Sequence, residues 1–164
     1  MLDIGGGVGA IQHELLAAGA ATATAVEASA AYLRAAAEEA TRRGHAERVS
    51  GYEGDFVALA DRIKPADVVT LDRVICCYPD MESLVGRSAA RVRRLYGLVY
   101  PREVWWTRLG FGTVNIALRV ARREFRVFVH RPPAVDAVAR AHGLSRALRR
   151  AVGPVWEVVV YERP

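Results

Sequence analysis

The sequence predicts a doubly wound α/β domain built on a mostly parallel sheet, and three observations carry that prediction. Strand-like and helix-like segments alternate four times in the first half. A glycine cluster, Gly5 to Gly9, lies between the first strand and the first helix. The run ADVVTLDRVI (66–75) is largely apolar, as a strand covered on both faces must be.

In chain order, MLDI is the apolar end of a first strand, and AIQHELLAAG has helical apolar spacing with Gly19 as its stop. ATATAVEA, rich in Thr and Val, reads as a second strand. SAAYLRAAAEEATRRG is a helix capped by Ser29, closed by Arg42 and Arg43 in its last turn, and ended by Gly44. RVSGYEGD is a third strand leading into a turn, FVALADRI a short helix stopped by Pro65, and 66–75 the fourth strand. Beyond these, MESLVGRSAARVRRLYG (81–97) reads as a helix and LVYPRE (98–103) as a fifth strand. Residues 104–124 read as a helix weakened in its middle by Gly110 and Gly112. FRVFVHR is extended, AVDAVARAHG is a short helix, and the tail forms two strands joined near Gly153 and Pro154.

At 164 residues the chain reads as a single domain burying roughly two thirds of its unfolded surface. No stretch of 18 apolar residues and no basic-apolar leader is present, so the reading is of a cytoplasmic protein without a membrane segment. Cys76 and Cys77 are adjacent and read as small apolar fillers at a strand end. No Cys/His cluster points to a metal. Residues 1–83 hold 7 basic and 13 acidic side chains, against 16 and 5 in residues 84–164. The arginines of the second half (Arg87, Arg91, Arg94; Arg119, Arg122, Arg123) fall at helical spacing without interleaved aromatics. They read as solvated helix faces, which makes nucleic acid the lesser alternative as a partner.

Glycines between a strand and a helix let a ligand approach the backbone, and the helix N-terminus favours negative charge. The loop alone also fits a relaxed dinucleotide pattern, so an NAD-dependent oxidoreductase is a rival reading. Three features narrow it. Asp3 ends strand one, in Asp3-x-Gly5-x-Gly7-x-Gly9, where a carboxylate would repel a pyrophosphate but suit a cation or an amine. Glu27 ends strand two, 18 residues after Gly9, where an acid can accept from ribose hydroxyls. Gly54-Asp55-Phe56 follows strand three and offers an acceptor and an aromatic ring to adenine. The set suits an adenosine carrying a positive, non-phosphate appendage.

On these residues the chain resembles the class I S-adenosylmethionine-dependent methyltransferases, from LDIGGGVG through VEAS and EGD to ADVVTLDRV. The resemblance implies a Rossmann-like, seven-stranded sheet ending in an antiparallel C-terminal hairpin, with helices on both faces. It also implies S-adenosylmethionine as cofactor and methyl transfer to a small-molecule acceptor. By that resemblance Asp3, Gly5, Gly6, Gly7 and Gly9 line the methionine and ribose, and Glu27 holds the ribose hydroxyls with Ala28 beside it. Gly54, Asp55 and Phe56 hold the adenine, Asp72 lies near the cofactor's amino group, and Arg73 forms the rim.

On the acceptor side, Tyr78 and His130 are the catalytic candidates, Trp105 and Trp106 are candidate pocket walls or core residues, and His13 reads as exposed or capping. CYPD differs from NPPY, which argues against DNA-adenine or glutamine N-methylation. DRVICCYPDMESLV is faintly similar to small-molecule enzymes such as the magnesium-protoporphyrin O-methylating ones, without assigning that substrate. The family usually has helices before strand one, whereas at most four residues precede Gly5 here, so the expectation is a start lying upstream of Met1. A non-catalytic, methyltransferase-like binding module is the third reading.

Overall fold

The computed structural model describes residues 1–164 and contains one seven-stranded sheet in the order β3-β2-β1-β4-β5-β7-β6. The strands are β1 (Leu2–Ile4), β2 (Ala23–Glu27), β3 (Val49–Glu53), β4 (Ala66–Asp72), β5 (Val92–Pro101), β6 (Ser145–Val152) and β7 (Trp156–Glu162). β1 to β5 are parallel, and β7 enters antiparallel between β5 and β6. The helices are α1 (Ala10–Ala17), α2 (Ala30–Arg42), α3 (Phe56–Leu59), α4 (Met81–Ala89), α5 (Trp105–Val120) and α6 (Pro132–Ala141). This is the expected doubly wound sheet with its C-terminal hairpin.

Right-handed crossovers carry the chain from β1 outward to β2 and β3, then back across β1 to β4 and β5. The two directions of travel put α1 and α2 on one face and α3 and α4 on the other. Local signals act as read: Ser29 Oγ accepts from the Tyr32 amide at 3.4 Å, and Gly44 ends α2 with φ +69°. α6 begins with two prolines in its first turn, where their missing amides cost nothing.

The core lies along β1, β4, β5 and β7. Leu2, Val69, Leu71, Tyr96, Leu98 and Tyr161 are almost wholly buried there, with α4 and α6 covering them through Leu84, Val85, Val135 and Ala139. The Tyr96 hydroxyl reaches Ser88 Oγ at 2.5 Å, which satisfies a phenol no water can reach.

Three expectations are corrected here. The helix expected over 81–97 stops at Ala89, and the strand expected to start at Leu98 starts at Val92. Pairing with all of β4 overrides the local helical spacing of ARVRRLYG, and Tyr96, Leu98 and Tyr100 point inward at the two-residue period of a strand. Arg94 therefore sits on a strand, while Arg87 and Arg91 both pair with Asp61 at 3.3 and 2.9 Å. His13, expected to be exposed or capping, is fully buried, because its ring packs against His45 in the loop after α2, with Nδ1 3.2 Å from His45 Nδ1. Trp105 and Trp106 are not core residues: they are 72% and 42% exposed at the start of α5, of whose residues only Thr107 is buried.

Truncating Leu98 to alanine removes a fully buried side chain from the centre of this sheet. The expected loss is about 2–5 kcal/mol of unfolding free energy, read from the urea midpoint at unchanged m-value.

Candidate functional site

Because β1 to β4 run parallel, the residues that end them gather along one edge of the sheet. In spatial order they are Asp55 just after β3, Glu27 ending β2, Asp3 on β1 and Asp72 ending β4. The chain reverses direction between β1 and β4, and a crevice opens outside the carboxyl ends of strands at such a point. Gly5 to Gly9 fill the turn at this place.

Asp3 is the most constrained of the four. Only 1% of it is exposed, Thr70 on β4 donates its hydroxyl to Oδ1 at 2.7 Å, and Oδ2 has no partner. A Cβ added at Gly6 would lie 2.1 Å from that Oδ2, so only glycine lets the loop fold over the carboxylate. Burial pushes the Asp3 carboxyl up to about 6, opposed by the Thr70 hydrogen bond and reinforced by the charges of Asp72 and Glu27. Gly7 has φ +59° and no atom within 4 Å of where its side chain would be. It is the point at which a ligand can reach the backbone.

Glu27 spans the gap between this loop and the next. Its Oε2 accepts from the Gly7 amide at 3.2 Å and its Oε1 from the Ser29 amide at 2.9 Å. Each oxygen keeps a lone pair free for a further donor. Ala28 follows, exposed at the rim, and Gly54 (φ +139°) is tied back by its amide to the Glu27 carbonyl at 3.0 Å. The loop after β3 is thereby held beside the loop after β2.

Asp55 caps α3 through Oδ1, which accepts from the Val57 amide at 3.0 Å, and its Oδ2 accepts from the Tyr78 hydroxyl at 2.9 Å. That second bond joins the loop after β4 to the loop after β3 and left no sequence signal, because the partners are 23 residues apart. Phe56 is 3% exposed and belongs to the central apolar cluster, which leaves almost no ring surface for an adenine to stack on. Asp72 is covered by its own neighbour: Arg73 turns back with φ +58° and bonds both carboxylate oxygens, at 3.2 and 3.0 Å. The Arg73 guanidinium also lies 6.0 Å from the Trp156 ring at the start of β7.

The two catalytic candidates are both engaged. Desolvation, helped by the Asp55 hydrogen bond, pushes the Tyr78 hydroxyl up to about 12, so it is a neutral donor at physiological pH. His130 Nε2 lies 3.0 Å from the Tyr78 carbonyl oxygen, which can only accept, so this nitrogen carries the proton. His130 belongs to a segment in neither helix nor strand, pinned by Asn115, whose side chain bonds Val127 amide and carbonyl at 2.8 and 2.7 Å. The same segment is fastened to the loop after β4 by the Phe128 amide on the Cys76 carbonyl at 2.7 Å. Trp106 is tied elsewhere, its Nε1 donating to Pro154 O at 3.1 Å.

Residues 1–95, more than half of the chain, match the family model of a methyltransferase domain. The chain belongs to that family. The match covers every acidic residue of the crevice and both glycine turns, which agrees with the resemblance those motifs carried. Among solved structures, magnesium protoporphyrin IX methyltransferase from Synechocystis PCC 6803 with bound SAH superposes with a TM-score of 0.78 at 18% identity, covering 99% of this chain and 73% of that one. An O-methyltransferase family protein from Burkholderia thailandensis gives 0.78 at 19% identity, with 99% and 50% covered. An O-methyltransferase family 2 protein from Planctomyces limnophilus in complex with apigenin gives 0.76 at 17% identity, again with 99% and 50% covered. Likeness at these identities is a likeness of fold. No curated protein matches the sequence. No helix is long and apolar enough to cross a membrane.

The raised Asp3 carboxyl predicts a pH signature. The folded chain holds this proton to about pH 6, the unfolded chain only to about 3.8, so ionisation costs the folded state. The cost is absent below the unfolded value, grows as pH rises between the two, and is complete above about 6. Relative to Asp3→Asn, the wild type should lose about 2 kcal/mol between pH 4 and pH 7 in urea unfolding. A difference that stays constant across that range would mean Asp3 titrates normally.

Proposed function

We propose that the protein is an S-adenosylmethionine-dependent methyltransferase acting on a small-molecule acceptor. The observation that carries this reading is the row of carboxylates along the crevice, with Asp3 buried directly under the glycine turn. A dinucleotide places its pyrophosphate against such a turn, where Asp3 would repel it. The guanidinium nearest in sequence to Asp72, that of Arg73, is already spent on Asp72. A ligand bearing an ammonium or a sulfonium meets the opposite charge instead.

When bound, S-adenosylmethionine supplies a methyl group already activated on a positive sulfur. In this reading Glu27 accepts from the ribose hydroxyls through the free lone pairs of its two oxygens. Gly5 to Gly9 admit the methionine part against the backbone, and Gly54 with Asp55 bounds the adenine. Asp72 reaches an ammonium once Arg73 swings aside, a movement an exposed arginine makes at little cost. Direct displacement needs the acceptor and the methyl carbon in line, and such positioning can supply roughly 7–11 kcal/mol. A general base adds about 10²–10⁴-fold only when the acceptor must lose a proton. With the Tyr78 hydroxyl donating to Asp55 and His130 Nε2 bonded to a carbonyl, positioning carries the reaction here.

The small size of the acceptor rests on the neighbouring folds, which include proteins for magnesium protoporphyrin IX and with apigenin bound. The segment after β4 that faintly resembled the protoporphyrin enzymes agrees with that company.

Calorimetric titration with S-adenosylhomocysteine and with NAD tests the reading. S-adenosylhomocysteine should bind and NAD should not. NAD binding alone would overturn the proposal, and binding of neither by folded protein would favour a non-catalytic module. Glu27→Ala should weaken S-adenosylhomocysteine by about 1–3 kcal/mol in the same titration, and unchanged affinity would remove Glu27 from the ribose site.

A further inference from the structure

The two cysteines lie outside the cofactor reading, and the structure does not treat them alike. Cys76 is 3% exposed, whereas Cys77 is open to solvent, and both are free thiols. A short turn, Ile75–Cys77, folds both side chains back toward one oxygen: the Arg73 carbonyl lies 3.2 Å from Cys76 Sγ and 3.7 Å from Cys77 Sγ. The two sulfurs are thereby brought to 3.8 Å. The turn is held from several sides. The Cys77 amide bonds Val74 O at 2.8 Å and the Tyr78 amide bonds Ile75 O at 3.2 Å. The Phe128 amide bonds the Cys76 carbonyl from the neighbouring segment at 2.7 Å.

We propose that Cys76 and Cys77 form a preorganised dithiol site for a soft, thiophilic centre that needs two sulfur ligands, specifically a trivalent organoarsenical. Two thiols held at this separation close a chelate ring with small side-chain rotations, and thiolate sulfur selects soft acceptors. No group of three His, Cys, Asp or Glu side chains is assembled anywhere in the chain, so a four-coordinate structural zinc would lack its ligands. An arsenical brings its own carbon as third substituent and asks only for two sulfurs. The reaction is a ligand exchange without oxidation. Two As–S bonds form, two As–O bonds of the hydrated arsenoxide break, and each thiol proton leaves with a hydroxide as water. Hydrogen bonding from the Cys76 thiol lowers the Cys77 thiol to about 7 and raises that of Cys76, so the exposed sulfur is the one that attacks first. The site lies between Asp72 and Tyr78, on the acceptor side of the crevice, and its chemistry is independent of methyl transfer.

The test uses the full chain, phenylarsine oxide and native mass spectrometry. One arsenical should bind per chain and resist a monothiol wash that strips singly held adducts, yet be released by 2,3-dimercaptopropanol. Displacement by 2-mercaptoethanol should need on the order of a hundredfold more monothiol for the wild type than for Cys77→Ser. Cys77→Ser alters an exposed side chain and keeps the core intact, so it remains informative if Cys76→Ala fails to fold. Equal sensitivity of wild type and Cys77→Ser to the monothiol, or two arsenicals bound per chain, would overturn the proposal.

Discussion

Thr70 donates from β4 to Asp3 on β1, and this bond ties the halves of the sheet together where the chain reverses direction. β1 is only three residues long, yet it stands between β2 and β4 and pairs with both. Asp3 is opposite Ala25 on one side and Thr70 on the other, so its carboxyl has no path to water. The unpartnered Oδ2 lies under Gly6, where any larger residue would collide with it. The glycine turn is shaped by the carboxylate it covers. Burying a carboxyl here costs stability at neutral pH.

The remaining contacts of the crevice read as consequences of that junction. Glu27 joins the first turn to the second through two backbone amides, and the Gly54 amide joins the second to the third. Tyr78 closes the series by reaching from the loop after β4 to Asp55. The segment after α5 is held separately, by Asn115, Cys76 and Tyr78.

α5 shows the limit of reading amphipathicity alone. Trp105, Leu109, Ile116 and Val120 lie along one side and are 72%, 61%, 65% and 79% exposed. Phe111, Asn115 and Leu118 face the protein only in part. The segment is helical as expected, over Trp105–Val120, and Gly110 and Gly112 do not interrupt it.

By itself the sequence determined the alternation of strands and helices, the glycine turns, and the placement of Asp3, Glu27, Asp55 and Asp72 at or just after the carboxyl ends of successive strands. These are local properties: caps, periodicity and strand ends repeat within a few residues and need no distant partner. Tertiary structure alone decided where β5 begins, since pairing with β4 outweighed helical spacing in residues 90–97. It also buried Phe56 and His13, turned Arg73 onto Asp72, bonded Tyr78 to Asp55, and brought the Cys76 and Cys77 sulfurs together. Most of these outcomes rest on partners far apart in the chain, and even the adjacent pairs take their geometry from the turn after β4. A strand-end pattern shows that a side chain reaches the crevice, and only packing shows what it meets there.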